Sequence, residues 1–494
     1  MTRGELGLEA PEVSVEVCLS GGLPGLAIVG LAETTVKESR ERVRAAIGQC
    51  GFEFPSRKIV VNLAPADLPK HGGRYDLAIA VGVLAASGQV PADRLAEVEL
   101  LGELGFTGML RPLSGLLPAL LGARRAGRSV VVPAGCAGEA GLLRDAGILL
   151  AEHLLPVLRF LQGELALPAA VLPPAGKTPS TDDLQDIRGQ ELAKRALEIA
   201  AAGGHNLLFA GPPGTGKSML ARRLPGLLPP MSEEEAAESA ALNSLAGNPP
   251  TASWAERPFR APHHTATTAS LVGGGSWPRP GEISLAHHGI LFLDELPEFA
   301  RATLEALREP LETGRITVAR AARTLEFPAR FQLVAAMNPC PCGHYGDPVL
   351  PCRCSPEQIR RYQERLSGPL LDRIDLRLPV IRGEIRLGET GAPGEASAAV
   401  ATRVAAARCR QLARAGKVNA ALPADGIRDW CLPRGDGLQL LERAAARLQL
   451  SHRACHSVLR VARTIADLAG TDDIAAGHVA EALGLRTSCL RAVT

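Results

Sequence analysis

Aromatic residues make up only 3% of this 494-residue chain. Ring platforms on which unpaired bases could stack are therefore few. Net charge is nearly absent: 54 basic and 52 acidic residues leave +2. That balance argues neither for nor against nucleic acid, because a local patch can sit inside a neutral total. One modest bias exists, 14 Lys/Arg against 8 Asp/Glu over residues 401–494. No uncharged apolar run reaches about 18 residues, so no transmembrane helix and no membrane partner are expected. MTRGELGLEAPEVSVEV at the N-terminus lacks a basic stretch followed by an apolar one, so a cytoplasmic location is expected rather than secretion. The eleven cysteines are odd in number and seven of them stand singly, which is a reduced pattern and not a disulfide framework. Neither an internal repeat nor a true low-complexity tract is present.

What is present reads as an α/β protein of roughly two to four domains. Residues 1–165 form the first. VSVEVCL (13–19), LAIVGL (26–31) and KIVVNLAP (58–65) are short, β-branched and bounded by Gly or Pro, as strands are. ETTVKESRERVRAAIGQCG (33–51) spaces Val36, Val43 and Ile47 as a helix does and stops at Gly51. Residues 166–183, ALPAAVLPPAGKTPSTDD, place four prolines among small residues and read as a linker. Over 184–385 the apolar strands NLLFAG, ILFLDE, FQLVAAMN and LRLPV are separated by long intervals, the pattern of a parallel sheet with helices. EIRLGETGAPGEAS (384–397) is a second soft connection, and 395–494 is helical in pattern. There GLQLLERAAARLQL comes first. A helix capped by Ser451 and ended by Gly470 follows, then one expected to be capped by Thr471.

GPPGTGKS (211–218) meets the phosphate-loop pattern G-x-x-x-x-G-K-[ST] at every required position, between a strand and a helix. Gly211, Pro212, Pro213, Gly214, Thr215 and Gly216 would form the cradle, and Lys217, Ser218 and Met219 would open the helix facing the phosphates. Lys217 suits the β- and γ-phosphates of ATP, and the Ser218 hydroxyl suits Mg2+. ILFLDE (290–295) ends a buried strand in two carboxylates: Asp294 for Mg2+, Glu295 as general base on the attacking water. Asn338 ends the strand FQLVAAMN and could hydrogen-bond the γ-phosphate or that water, although alone it would be an ordinary turn residue. Arg373 lies between two aspartates in SGPLLDRIDLRLPV (367–380). Arginine suits charge on a transferring phosphoryl group, but spacing alone favours a surface ion pair with Asp372 or Asp375.

In this order, DIRGQ (186–190), the phosphate loop, the Asp-Glu strand, the asparagine and the LLDRID arginine resemble an AAA+ ATPase. RAPHHTATTASLVGGGSWPRPGEISLAHHGILFLDELPEF (260–299) resembles its magnesium-chelatase-like branch, and nearly the whole chain, with NPCPCG, resembles the YifB/ComM family. The resemblance implies a Lon-protease-like N-terminal α/β domain, a central AAA+ domain with a parallel sheet and a C-terminal helical lid. It implies that Ile187, Gly189 and Gln190 line the adenine pocket. Arg373 becomes an arginine finger for the neighbouring subunit, and Arg453 a sensor-2 arginine with Arg460 as its rival. The implied assembly is a hexameric ring. The implied activity is an ATP-driven DNA helicase that promotes branch migration during natural transformation, with single-stranded and branched DNA as partners. Two insertions would face the ring's centre: the 264–283 loop and a hairpin over 315–330 with Arg320 and Arg323 near its tip. That hairpin would touch phosphates without sequence preference, unless it is simply a solvated charged turn. Arg74 stands where the Lon-type catalytic serine would be, so no peptidase activity is expected, and the N-terminal domain would serve assembly or DNA guidance. The alternatives are a chelatase-type motor or a protein unfoldase acting on a protein partner. The chain has no D-x-S-x-S metal-adhesion motif of its own, and LVGGGSW is ambiguous as an unfoldase pore loop.

One stretch is left over. NPCPCGHYGDPVLPCRCSP (338–356) holds Cys340, Cys342, Cys352 and Cys354 as two C-x-C pairs. Four thiolates suffice for a closed structural Zn2+ site, although C-x-C is tighter than the usual knuckle and His344 could replace one ligand. Metal-free thiols and a redox-sensitive disulfide are the alternatives, and a reducing compartment disfavours the last.

Overall fold

The computed structural model describes residues 1–31, 33, 36, 38–143, 147–171, 182–248, 254–274, 278–320, 323–382 and 394–487. The fold is mixed α/β with parallel sheets and a helical C-terminal region. Two compact units form, residues 1–177 with 233–254, and 178–232 with 255–494. Among the described residues no helix is long and apolar enough to cross a membrane.

In the first unit, Glu12–Ser20, Gly25–Val29 and Lys58–Ala64 are strands, joined by Thr2–Arg3 in a four-stranded sheet. Val43, Ala46 and Ile47 of the helix Ser39–Gln49 are buried, as their helical spacing requires. A three-stranded parallel sheet of Val98–Leu100, Ser129–Pro133 and Ile148–Ala151 completes the unit's strands of that kind. Part of the expected linker belongs to this sheet: the Leu150 N–H donates to Pro168 O at 2.8 Å and the Ala170 N–H to Ile148 O at 2.9 Å. Residues 172–181 of the linker lie outside the described residues, as do 384–393 of the second connection. Arg74 is buried and bonds Glu5 at 2.6 Å and the Ser114 carbonyl at 3.1 Å. The helix Glu233–Leu245 also packs here, through Ala237, Ala240 and Ala241. It is an excursion from the segment that carries the phosphate loop.

The second unit is built on five parallel strands. In chain order its elements include α1 (Glu191–Gly203), β1 (Leu207–Ala210), α2 (Lys217–Arg223), β2 (Phe259–Arg260), β3 (Ile290–Leu293), β4 (Gln332–Met337) and β5 (Leu376–Pro379). The spatial order is β2-β3-β4-β1-β5. β1, β3 and β4 are buried throughout, which explains why they read as unbroken apolar runs instead of alternating ones. The longer helices that follow are α3 (Ser397–Ala415), α4 (Asp436–Leu448), α5 (His452–Ala469) and α6 (Ala476–Thr487). They share one core with the sheet. Val400, Val404 and Ala407 of α3 and Val458, Val461 and Ile465 of α5 join Phe209, Phe292 and Val334 in it. Ser451 caps α5 by accepting the Ala454 N–H at 3.2 Å, and Gly470 ends it in a left-handed conformation. Thr471 does not cap α6. Its hydroxyl donates back to the Ala466 and Asp473 carbonyls, and α6 starts only at Ala476, after buried Ile474.

A polar network joins sheet and helices. Asp375, beside β5, meets His205 at 3.4 Å and accepts from Ser457, while Arg486 bonds Ser457 Oγ at 3.0 Å. Burial would push the Asp375 carboxyl up, but the bonds from His205 and Ser457 and the charge of Arg486 hold it below its ordinary value. A carboxylate held low stabilises the fold above its unfolded value of about 4, and that contribution fades as pH falls through the folded value. Asp375→Asn should therefore cost about 3–5 kcal/mol at neutral pH. Denaturant midpoints should show the deficit narrowing in acid; a deficit that does not change with pH would contradict this account.

Candidate nucleotide site

β1, β3 and β4 end at one edge of the sheet because their residues are in parallel register: Leu207 pairs with Val334, and Ile290 with Gln332. The phosphate loop leaves β1 at Gly211. A Cβ there would lie 2.1 Å from the Val380 carbonyl oxygen, so only glycine fits so close to the next strand. Gly214 and Gly216 adopt φ of +77° and +87°, which lets the loop turn into α2. A cleft of about 390 Å³ opens there, lined by the loop from Pro213 to Met219 together with Asp294, Glu295, Met337 and Asn338.

Lys217 is buried and folded into its own loop. Its Nζ donates to Gly211 O at 2.7 Å, Pro212 O at 2.8 Å and Asn338 Oδ1 at 3.2 Å. Burial pushes its pKa down, opposed by the charges of Asp294 and Glu295. Phosphate oxygens would replace these neutral acceptors with charged ones. Ser218 Oγ donates to Asp294 Oδ2 at 2.5 Å, so two hard oxygen donors already stand side by side, the donor type Mg2+ takes. The residues thus fit ATP and Mg2+.

Glu295 sits in a left-handed conformation, φ +53°. Its carboxylate meets His264 Nδ1 at 3.0 Å. The sequence analysis did not single out His264; its two-histidine sequence offered a hint, but only the fold joins it to an acid 31 positions on. Ile187 and Gly189 line a neighbouring cleft of about 540 Å³ with Lys194, Glu198 and Arg403. Gln190 faces elsewhere, donating to the Ile381 carbonyl at 2.7 Å.

The two arginines assigned to the site do not line the phosphate-loop cleft. Arg373 pairs with Glu312 and also donates to Pro369 O at 2.7 Å; Arg453 reaches the same Glu312 at 2.8 Å. Arg373 has not paired with Asp372 or Asp375. Glu312, a residue absent from the sequence expectations, is held below the ordinary carboxylate range by hydrogen bonds from these two arginines. Arg460 is half-buried and donates to the Leu422 carbonyl. The hairpin is formed by Arg315–Arg320 and Arg323–Pro328, with Arg320 and Arg323 as the last paired residues; their side chains lie outside the described residues. The 264–283 segment holds a short helix, Thr268–Val272, and a pairing of Gly273–Gly274 with Arg279–Pro280; residues 275–277 are outside the description.

A phosphate loop, an Asp-Glu strand and a polar strand end on a parallel sheet, followed by a helical region, define a P-loop ATPase module of the AAA+ class. Family models agree. "Magnesium chelatase, subunit ChlI" matches residues 183–386, "Subunit ChlI of Mg-chelatase" matches 15–135, and "Magnesium chelatase, subunit ChlI C-terminal" matches 394–486. YifB of Salmonella typhimurium is 53% identical over 98% of this chain and 96% of its own length. Competence protein ComM of Haemophilus influenzae is 51% identical over 98% and 96%. A weaker likeness, 28% over 24% of this chain and 15% of the other, links it to Lon protease of Trichlorobacter lovleyi. The chain belongs to the YifB/ComM family, and its AAA+ module implies ATPase activity.

Glu295→Gln should lower the steady-state ATPase rate about 100-fold or more while leaving ATP affinity within a few-fold. Asp294→Ala should instead remove the Mg2+ dependence of nucleotide binding, read by titration with and without EDTA.

Proposed function

We propose that the protein is a ring-forming, ATP-driven DNA motor that promotes branch migration of branched DNA during natural transformation, working as a homohexamer. The observation that carries the ring is the separation of the arginines from the cradle. Lys217, Ser218 and Asp294 gather at one cleft, while Arg373 and Arg453 share Glu312 and do not line it. A cleft with no arginine among its described lining residues is suited to completion by a neighbouring copy, as arginine fingers complete other nucleotide sites.

In this reading Lys217 neutralises the β- and γ-phosphates, and Ser218 and Asp294 hold Mg2+. The bound ion supplies charge neutralisation on the phosphate oxygens. Glu295, oriented by His264, takes the proton of the attacking water, and Asn338 positions that water or the γ-phosphate. Ile187 and Gly189 border the base, and Gln190 does not. Arg373 acts on the neighbour's nucleotide as an arginine finger, and Arg453 serves as the sensor-2 arginine. The DNA part of the reading is supported by 51% identity to a protein named for competence and by the hairpin that brings Arg320 and Arg323 together at its tip. Contacts of that kind would be electrostatic and would weaken with salt. The match to magnesium chelatase subunit models favours a second reading, a motor that remodels a protein partner.

The deciding experiment is ATP-dependent dissociation of a mobile four-way junction, with Lys217→Ala as control. The wild type should resolve the junction and the control should not. If ATP is hydrolysed but no junction, fork or single strand alters the rate or is moved, the DNA reading fails and the protein-partner reading replaces it. The trans arrangement has its own check. Arg373→Ala should lose about a thousandfold in hydrolysis, and mixing it with Lys217→Ala chains should restore part of the activity. No recovery on mixing would place the arginine in cis.

A further inference from the structure

The ATP chemistry uses none of the four clustered thiols. Cys340 is buried two residues after Asn338, and Cys342, Cys352 and Cys354 are half-buried. Cys340 Sγ lies 3.4 Å from Cys342 Sγ and 3.6 Å from Cys352 Sγ, and the last two are 3.6 Å apart. All four sulfurs fall within 4.8 Å of one another. Zn–S bonds of about 2.3 Å in a tetrahedron set sulfurs about 3.8 Å apart, whereas a disulfide needs about 2.05 Å. The spacing is that of four ligands around one ion.

The surroundings suit thiolates. The Cys354 N–H donates to Cys352 Sγ at 3.4 Å. Bonds of this type orient metal-bound sulfurs and spread their charge. His344 is not a fifth candidate, because its ring pairs with Asp347 at 3.3 Å and it stands outside the group. Apart from the sulfurs, the loop is held by Asp347, which accepts the Val349 N–H at 2.9 Å and meets Arg382 at 3.4 Å. Val349 and Leu350 are 64% and 41% exposed, so the residues between the C-x-C pairs bury little apolar surface. Gly343 and Gly346, at φ +83° and +78°, fold the chain back. A capping box of Ser355 and Gln358 starts the helix Pro356–Gln363, and Gln363 returns to bond Pro339 O at 3.1 Å.

We propose that Cys340, Cys342, Cys352 and Cys354 bind one Zn2+ through four thiolates, and that the ion braces the wall of the nucleotide site formed by Asn338 and Pro213. Binding releases the four thiol protons to solvent and leaves no open coordination position, so the ion is structural. The brace runs through Gly343. A Cβ there would lie 2.7 Å from Pro213 Cδ and 3.9 Å from Asn338 Cγ, so the cysteine loop rests directly on the cradle and beside the polar strand end. The brace rests on the nucleotide reading above; the metal site does not.

Metal content of the full-length protein, purified without chelator, tests the site. One zinc per chain is expected, lost in the double variant Cys352→Ser/Cys354→Ser and kept in the exposed-site control Cys409→Ser. Anaerobic exchange with Co2+ should give the intense visible bands of a tetrahedral thiolate site, and this wild-type measurement decides the matter if the double variant does not fold. Wild-type protein with neither stoichiometric zinc nor cobalt bands after reduction, or with disulfides among these cysteines when freshly isolated, overturns the proposal. For the brace, Gly343→Ala should keep its zinc yet bind ATP about tenfold more weakly. Unchanged ATP affinity in that variant overturns the brace alone. A wild type that binds no ATP overturns the nucleotide reading and leaves the zinc result standing.

Discussion

Parallel register is the constraint on which the second unit depends. Ala210 is level with Met337 and Leu293 with Ala335, so the three strands end at the same edge within two residues of one another. Each strand is spent on burial along its length and delivers its chemistry only in the residue that follows. Gly211 begins the loop, Asp294 and Glu295 follow β3, and Asn338 follows β4. A one-residue slip in any pair would turn buried side chains to the wrong face and displace the polar end by more than 3 Å, about one strand residue. The Lys217–Asn338 bond at 3.2 Å and the Ser218–Asp294 bond at 2.5 Å could not then coexist.

The same sheet fixes residues far from the cradle. Asn206 precedes β1, accepts the Leu333 N–H at 2.8 Å and donates to the Arg373 carbonyl at 2.9 Å. His205 beside it reaches Asp375 on one ring nitrogen and Thr464 of α5, at 2.8 Å, on the other. The backbone of Arg373 is thus tied to the strand edge opposite the phosphate loop, and α5, which carries Arg453, is tied to the same pair of residues. Such a network is costly if any member is unpaired, which makes it stiff. A rigid link of this kind is what transmits a displacement at one end of a sheet to the helices at the other.

Legibility followed the range of the physical signal. GPPGTGKS is local, since glycine conformation, helix start and charge all lie within eight residues, and it was read in full. The apolar strands were legible because burial on both faces leaves an unbroken run. β2 was not, because two residues carry no period. α3 escaped separate notice because its alanine-rich face contrasts weakly with its polar one. Thr471 had the residue type of a cap, but its hydroxyl closes the end of α5 instead. His264 and Glu312 were invisible for another reason. Each matters only through a partner that the fold supplies, 31 positions away for one and 61 and 141 for the other.

Glu312 gives the arginine pair a definite electrostatic logic in the proposed ring. A single carboxylate carries one negative charge and shares it between two guanidinium groups, so the local sum is still positive. It is also half-exposed, where water screens the attraction and an ion pair is worth little. The phosphates of a nucleotide on a neighbouring copy carry several negative charges and would be met in a closed, drier interface, where the same arginines interact more strongly. Exchange of Glu312 for phosphate then becomes favourable only when a neighbour and its nucleotide are both present. A neutral total charge is compatible with such a machine, because the cations that matter are held in place by one acid rather than spread across a surface.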